Sequence, residues 1–301
     1  MLRALAGRLL FALALALVAF SGVYVLTDVA PGDVLGDRAA EMSPEAIERE
    51  RARLGLDRPV VARLGTRLAR LATLDLGTSV RFNRPVRALV AERAVPTLQA
   101  GGAALLLALL LGLPAGVLAS RARHPLVPRT IASVSVALLS MPALVIALAL
   151  TALGSAARLP GFAIMVLALG LPAAALFERL QARAMDTALA HPSLHAARAR
   201  GVPARAIAWR HAWPLSLPSV LGLVGVVASQ LLSGALAIEL VTSRPGLGRL
   251  TFDALQARDL DLAAGCAGAA ALIVGLATFA ADAVQLALDP RLIADDTGRQ
   301  A

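Results

Sequence analysis

Lysine is absent from this chain of 301 residues, and all 29 of its basic residues are arginine. A phosphate-binding loop of the Walker A type, a Schiff-base lysine and a serine–lysine catalytic pair all depend on a lysine side chain. The absence of lysine therefore excludes all three. We expect no cofactor in this chain, and any ATP used in its work has to be hydrolysed by another chain.

Cysteine and histidine are also scarce, with one cysteine and four histidines. Cys266 lies in an apolar run, which excludes a disulfide framework or a CxxC metal site and favours a small buried residue. His191 and His195 are four residues apart, but Pro192 lies between them and no cysteine or carboxylate is near enough in sequence to complete a ligand set. The motifs HExxH and GxSxG are missing as well. We therefore expect no metal site and no catalytic residue, and we do not expect an enzyme.

Aromatic residues make up only 3% of the chain, although its formal net charge is +9. Proteins that bind nucleic acid combine basic patches with aromatic or groove-reading elements. Here the arginines flank apolar runs instead. The charge therefore favours contacts with anionic lipid and with a partner protein, and it does not favour nucleic acid.

Apolar residues account for 58% of the chain and the mean hydropathy is +0.73, whereas soluble domains contain about 45–50% apolar residues. A helix needs about 20 apolar residues to cross a bilayer. We predict an all-α polytopic membrane protein with about six transmembrane helices. The predicted spans are residues 9–26, 98–119, 130–153, 162–177, 215–238 and 262–288.

The distribution of arginine predicts the orientation of these spans. Short loops rich in arginine are retained on the cytoplasmic side. Arg3 and Arg8 precede the first run and a basic loop, residues 120–129, follows the second, so we expect both termini in the cytoplasm. A cleaved signal peptide is the alternative for the first run, but Asp28 and Pro31 form a poor cleavage context.

The order of the runs predicts four parts. A small helical periplasmic loop is expected between the first two spans, with one helix from Pro44 to near Gly55. A second helix should start at Pro59 and bury Val61, Leu64, Leu68 and Leu71 on one stripe. The parts are an N-terminal transmembrane helix (1–28), the periplasmic loop (29–98), the transmembrane core of about five helices (99–291) and a cytoplasmic tail (292–301).

A polar segment, residues 191–214, interrupts the apolar core, and we call it the basic segment. It carries four arginines between His191 and His211 and no acid, so it is expected in the cytoplasm. Its alanine-rich start favours a helix, Gly201 interrupts that helix, and Pro203 suits the start of another. We predict two short helices joined at Gly201, with Ala204, Ile207 and Ala208 on one face and Arg205 and Arg210 pointing elsewhere.

Ala196, Ala197, Gly201 and Pro214 fall on a spacing that resembles the cytoplasmic loop of ABC importer permeases, with His195 at the position of their glutamate. Ala197-Arg198-Ala199-Arg200-Gly201 and Arg210-His211-Ala212 are similar to the version in dipeptide, oligopeptide and nickel permeases. The resemblance implies that this coupling loop contacts a separate ATPase. The residues implied for ATPase coupling are Ala196, Ala197, Arg198, Arg200, Gly201, Arg205, Arg210 and His211.

Motifs in the outer loops resemble the same permeases. Residues 30–33, 54–59 and 75–79 are similar to stretches that follow their first span. After the fifth run, residues 239–249 resemble the signature Glu-x-x-Phe-x-x-Pro-Gly-Leu-Gly-Arg, with Thr242 in place of Phe, and Arg258-Asp259 follows as in the family. The prolines and glycines predict a tight turn, which either is purely structural or contacts substrate. The residues of this outer motif are Glu239, Pro245, Gly246, Gly248 and Arg249, and Glu239 is expected to pair with an arginine.

The fifth run carries Ser229, Gln230 and Ser233, which are candidates either for the transport pathway or for plain hydrogen bonds between helices. Gln230 is the one carboxamide expected deep within a span. Gly225 shares a face with the two serines, and such small residues predict close approach of another helix. In the third run Met141-Pro142 predicts a kink that lines the pathway or serves packing. Asp282, near the end of the sixth run, is either a functional acid within the membrane or a helix-end partner, and its place one turn from the interface favours the second interpretation.

The resemblance covers residues 9–291 and implies a transmembrane permease subunit of a binding-protein-dependent ABC importer in the bacterial inner membrane. The implied partners are a second permease subunit of a distinct chain, ABC ATPase subunits, an extracytoplasmic substrate-binding protein and the lipid bilayer. The cargo is expected among peptides, nickel chelates, glutathione and related small solutes. The alternative is a stand-alone channel or secondary transporter, but internal repeats and ionisable residues deep in the spans, which are typical of secondary transporters, are not found in the sequence.

Overall fold

The structure is a computed structural model that describes residues 2–29, 43–54, 59–71, 73–122, 124–157 and 159–288. These residues are mainly helical, and one isolated β-bridge joins Thr78 and Pro85. In chain order the helices are α1 (Leu2–Val29), α2 (Pro44–Leu54), α3 (Val60–Leu71), α4 (Val86–Arg121), α5 (Leu126–Ser140), α6 (Ala143–Ala157), α7 (Gly161–Leu189), α8 (Pro192–Ala199), α9 (Ala204–Ala206), α10 (Trp213–Leu221), α11 (Val224–Val241), α12 (Leu247–Gln256) and α13 (Leu260–Leu288). A π-helical turn, Ile207–Ala212, lies between α9 and α10.

Among the described residues, five helices are long and apolar enough to cross a membrane: α1, α4, α7, α11 and α13. The pair α5 and α6 makes a sixth candidate, bent by 98°. The bend lies at Met141-Pro142, where Met141 is extended with φ −98° and ψ 123°. A residue before proline avoids the helical region, which explains the break. The predicted all-α polytopic fold is therefore confirmed, and the predicted kink is a sharp bend between two helices.

Three helices differ in extent from the predicted membrane spans. The helix of the second span starts at Val86 instead of Leu98, because Pro96 is accommodated within α4. Prolines are tolerated inside membrane-spanning helices when neighbouring groups satisfy the freed carbonyls. The helix of the fourth span continues beyond Phe177 to Leu189, where residues 182–189 are mainly good helix formers. The fifth predicted span is divided at Gly222-Leu223, between α10 and α11.

Contacts divide the chain into two units. The first contains residues 1–8, 98–244 and 276–301, and the second contains residues 9–97 and 245–275. In the first unit, Arg8 of α1 forms an ion pair with Asp282 of α13. This pair supports the interpretation of Asp282 as a helix-end partner.

A close contact between α4 and α7 organises the first unit. A Cβ atom added to Gly112 would lie 2.5 Å from the carbonyl oxygen of Ala174, and one added to Gly116 would lie 2.6 Å from that of Glu178. Only glycine permits this approach, which is the usual way that small residues bring transmembrane helices together. The core around the contact is built from α4, α6, α7, α10 and α11, and it includes Ala104, Ile146, Met165, Phe177, Val220 and Ile238.

In the second unit, α3 packs against α1 and α13 through one leucine stripe. Leu64, Leu68 and Leu71 lie against a buried cluster that contains Phe20 and Tyr24 of α1. The prediction for Val61 was wrong, because this side chain is 81% exposed and the contact begins one turn later, at Leu64.

A buried polar cluster in the second unit fixes the start of α13. The Asp259 carboxylate, 1% exposed, accepts hydrogen bonds from the backbone N–H of Leu262 (3.2 Å) and the hydroxyl of Ser79 (2.6 Å). It also accepts one from the backbone N–H of Arg81 at 3.1 Å. The first bond is an N-cap of α13. The other two attach the turn that precedes α4 to the same carboxylate.

We expect Gly112→Val to lower the stability of the folded protein by about 1–3 kcal/mol, because the added side chain overlaps the backbone of α7. The measurement is the thermal unfolding midpoint of the purified full-length protein in detergent. Gly102→Val is the matched control, since a Cβ at Gly102 in the same helix would meet no atom within 4 Å. Equal midpoints for the two variants would contradict the close packing of α4 on α7.

We expect Ser79→Ala to cost about 1–3 kcal/mol, because it removes a donor to a buried carboxylate. The same hydroxyl also accepts a bond from the backbone N–H of Phe82 at 3.0 Å. Denaturation of the full-length protein measures the loss, with the exposed Ser133→Ala as control. If the two alanine variants unfold alike, the cluster at Asp259 does not hold the turn.

Candidate functional site: the basic segment and polar residues of the helices

The predicted arrangement of two helices joined at Gly201 is present in the basic segment. Helix α8 ends in a hydrogen-bonded motif in which Gly201 N–H donates to Arg198 O (2.9 Å) and Val202 N–H donates to Ala197 O (3.2 Å). This is a Schellman motif, which needs a residue with positive φ directly after the cap. Gly201 has φ +78°, and a Cβ atom added to it would meet no atom within 4 Å. Glycine is therefore the residue that allows the chain to turn here.

The apolar side of the basic segment packs against α4 and α7. Leu194 of α8 and Ile207 and Ala212 of the π-helical turn lie in one buried cluster with Val117 of α4 and Met185 of α7. The predicted apolar face is confirmed for Ile207 and Ala208, which are each 2% exposed. It is wrong for Ala204, which is exposed because α9 begins there and lies away from the cluster.

The other side of the segment is cationic. Seven of the eight residues implied for ATPase coupling are exposed, and they are Ala196, Arg198, Arg200, Gly201, Arg205, Arg210 and His211. Ala197 is the exception at 3% exposed. It packs inward, so it can support the surface but cannot contact another protein directly.

Two arginines hold the segment to the ends of neighbouring helices. Arg198 donates to the carbonyl of Leu189, the last residue of α7, at 3.2 Å. Arg121, the last residue of α4, donates to the carbonyl of Ala204 at 3.4 Å. Arg198 thereby satisfies a carbonyl at the C-terminal end of α7. Arg121 lies in the last turn of α4, where a positive charge interacts favourably with the helix dipole.

The second half of the segment continues into α10 through the π-helical turn. The N–H of Trp213 donates to the carbonyl of Ala208, five residues earlier. Pro214 follows and has no N–H to offer, which interrupts the ordinary helical ladder. Trp209 and Trp213 meet edge to face with ring centroids 5.0 Å apart. π-Helical turns often mark functional positions.

His191 is the N-cap residue of α8, which begins at Pro192. Its Nδ1 atom accepts from the N–H of Ser193 at 3.3 Å, and Pro192 occupies the first helical turn. The described residues contain no group of three or more histidine, cysteine or acidic residues that could hold a metal ion.

The polar residues of α11 fall on different faces. Gln230 and Ser233 are exposed, whereas Ser229 is half-buried and donates to the carbonyl of Gly225 in its own helix at 2.9 Å. The prediction of a close helix contact is confirmed at Gly225, where an added Cβ would lie 3.2 Å from Cα of Thr278 in α13. Ser233 is exposed among the described residues, so a helix contact there, with the partner subunit, stays a prediction.

The outer motif is divided between the two units. In the first unit Glu239 is 1% exposed near the end of α11, and its pairing with an arginine stays a prediction. The chain turns after α11 at Ser243, which has φ +53°, with Arg244 N–H donating to Glu239 O at 3.1 Å. The Arg244 guanidinium lies over the Phe162 ring at 5.2 Å from its centroid.

In the second unit the motif leads into α12. Pro245 is exposed, Gly246 and Gly248 are buried, and Arg249 is half-buried. Gly246 is extended with φ −139°. The predicted tight turn is therefore present, but Ser243 makes it and not the glycines. The N–H of Leu247 donates to the hydroxyl of Thr97 at 2.9 Å, which fixes the start of α12.

Sequence reasoning missed two buried polar pairs in the first unit. Gln181 is fully buried within α7 and donates to the hydroxyl of Ser216 in α10 at 2.7 Å, so Gln230 is not the one carboxamide deep in a helix. Glu178 of α7 is 5% exposed and accepts from the hydroxyl of Ser135 in α5 at 2.6 Å. Glu178 directly follows the predicted fourth span, residues 162–177, so the sequence places it at the cytoplasmic interface, and that position stays a prediction. The sequence signal for a buried acid within a long helix was a single glutamate, Glu178, followed by further helix-forming residues.

Comparison with known proteins agrees with this architecture. The family described as "Binding-protein-dependent transport system inner membrane component" matches residues 112–294. A peptide transport system permease protein of Brucella abortus (strain 2308) is 33% identical over 267 residues, covering 80% of this chain and 83% of that protein. The glutathione transport system permease protein GsiC of Escherichia coli O6:H1 is 28% identical over 248 residues, covering 79% and 81%.

A solved structure shares the fold. The MetNI methionine ABC transporter in an inward-facing conformation matches with a TM-score of 0.56 and 19% identity, over 67% of this chain and 96% of that one. The family match, the sequence identity to the permeases and the fold shared with the solved structure agree with one another. They also agree with the apolar helices and with the basic segment between α7 and α10 of this chain. The chain therefore belongs to the binding-protein-dependent transport system inner membrane components, and it is a multi-pass membrane protein of that family.

Proposed function

We propose that this chain is one permease subunit of an ABC importer for peptides or related small solutes. It forms half of the pore with a second permease subunit of a distinct chain. ATPase subunits bind its basic segment, and an extracytoplasmic substrate-binding protein delivers the cargo. Both termini and the basic segment lie in the cytoplasm, as the arginine-rich loops favour.

The geometry of the basic segment is the observation that carries this proposal. Its apolar side is buried against α4 and α7, and its exposed side presents arginines with no acid among residues 191–214. Such a surface suits a partner protein with acidic side chains, because arginine forms strong paired hydrogen bonds with carboxylates. Seven of the eight implied coupling residues lie on this exposed side.

The buried side supplies a route from the ATPase to the helices. Ile207 and Leu194 share one cluster with Val117 of α4 and Met185 of α7. Packed interiors resist compression and transmit displacement. Movement of the segment when the ATPases close therefore moves the ends of α4 and α7, and this shifts the pore between inward-facing and outward-facing states.

The assignment of cargo follows the relatives. Relatives named for peptide and glutathione transport each cover about four-fifths of this chain. Both kinds of cargo are short peptides or resemble them, which supports the same class here. Val226, Gln230 and Ser233 form an exposed row along α11 at helical spacing. We assign this row to the surface that faces the pore or the second permease.

The proposed function is tested by crosslinking from Ala204→Cys in membranes of the native host. Ala204 is exposed, whereas the native Cys266 is 0% exposed, so a thiol-directed crosslinker reacts at the introduced position. We expect to recover an ATPase that contains a Walker A motif. Ala208→Cys is the control, because Ala208 lies in the same segment at 2% exposed and should recover little. Recovery of no ATPase despite efficient labelling at position 204 would favour a stand-alone channel or carrier.

We expect Gly201→Val to weaken ATPase recovery in this assay about tenfold. A β-branched residue at positive φ costs roughly 1–2 kcal/mol, which corresponds to about a tenfold loss of the correct conformation. Gly201→Asn is the control, because asparagine tolerates this backbone region and should stay within about threefold of the native chain. Equal recovery with valine and glycine would show that the turn at Gly201 is not needed for docking.

A further inference from the structure

A crevice of about 350 Å³ lies between α4, α5 and α7 in the first unit. Its walls are mainly apolar and include Leu111, Val134 and Leu171. Its polar members are Thr130, Ser135 and Glu178. This volume falls within the range of small-molecule sites, which measure about 300–1,000 Å³ and combine apolar walls with a few placed polar groups.

Glu178 is the charged group of this crevice. Its side chain is 5% exposed and Ser135 is 4% exposed. The Ser135 hydroxyl donates to Oε2 of Glu178 at 2.6 Å, a length typical of a hydroxyl bound to a carboxylate. Among the ion pairs of the described residues, Glu178 takes part in none.

A carboxylate within a membrane-spanning helix is costly unless a cation or several donors compensate it. Ser135 provides one donor and no positive charge. The crevice beside the carboxylate has room for a compensating group from outside the chain. A divalent metal ion would require several more oxygen ligands, which the apolar walls do not provide.

We propose that this crevice binds the primary ammonium group of a small amphiphilic amine. The ammonium group pairs with Glu178, and the carbon chain lies along the apolar walls. An ammonium has three donors. The carboxylate and the free lone pair of the Ser135 hydroxyl can accept them.

Two natural sources provide this chemistry. One is the free amino terminus of a transported peptide, and this source rests on the proposed function. The other is the ethanolamine headgroup of a membrane phospholipid. Both present a primary ammonium group close to an apolar body, so the test has one arm for each source.

The test measures binding of hexylammonium and of hexanol to the purified full-length chain in phosphatidylcholine nanodiscs. The two probes have the same carbon chain, and only the first is charged. We expect hexylammonium to bind at least tenfold more tightly than hexanol. Glu178→Gln should abolish this preference, since glutamine keeps the size and the bond from Ser135 but not the charge. Glu92→Gln is the control, because Glu92 is an exposed acid paired with Arg84 in the second unit.

Equal binding of the two probes, or an undiminished preference in Glu178→Gln, would overturn the proposal. Competition by dileucine but not by N-acetyl-dileucine supports the peptide source. Weaker hexylammonium binding in nanodiscs that contain phosphatidylethanolamine supports the lipid source. If neither competes, both named sources are excluded and the proposed natural role of the crevice is overturned. Failure of any of these arms leaves the ATPase crosslinking result intact, because Glu178 lies outside the basic segment.

Discussion

The close approach of α4 to α7 is the contact on which the first unit depends. Gly112 and Gly116 bring the backbones together where a single added carbon would overlap carbonyl oxygens of α7. Val117, the next residue, then meets Met185 in the cluster that supports the basic segment. The same stretch of α7 carries Glu178 and Gln181. Lipid provides little hydrophobic force to hold helices together, so close packing of this kind is what joins α4 to α7. The positions of the basic surface and of the buried polar groups of α7 both depend on this one contact.

The polar groups along α7 are satisfied by serines of neighbouring helices. Ser135 of α5 donates to Glu178, and Ser216 of α10 accepts from Gln181. Ser216 in turn donates to the carbonyl of Trp213 at 2.8 Å, within the helix that leaves the π-helical turn. The Oε1 atom of Gln181 and the indole N–H of Trp213 are buried and have no hydrogen-bond partner among the described residues. This junction thus joins α7 to the helix that follows the basic segment, and two of its buried polar atoms are left without a hydrogen bond.

Much of the fold was predictable because periodicity and composition are local signals. The apolar runs predicted the spans, Gly201 predicted the turn of the basic segment, and the spacing around Gly225 predicted a close helix contact. Properties that depend on distant residues were not predictable. Gly112 and Gly116 have the four-residue spacing of a contact motif, but the sequence does not say which helix they meet. The burial of Glu178 was not predictable for the same reason, because it is decided by α5, which is remote in sequence.

The turns that follow helices show that the residue type alone does not predict which positions adopt a positive φ. Gly201 has the positive φ that the rule for helix ends requires, yet Leu74, Ser243 and Arg258 adopt φ of 56°, 53° and 51° without being glycine. Each follows a helix and donates its N–H to a carbonyl three residues earlier. The backbone cost is roughly 1–2 kcal/mol for each residue. Two of these turns flank α12, and the second leads directly to Asp259, whose carboxylate is fixed by Ser79 and by the start of α13. The contacts of Asp259 can offset the backbone strain at the neighbouring Arg258. At Gly201 an added Cβ atom would meet no atom within 4 Å, and the glycine itself provides the turn.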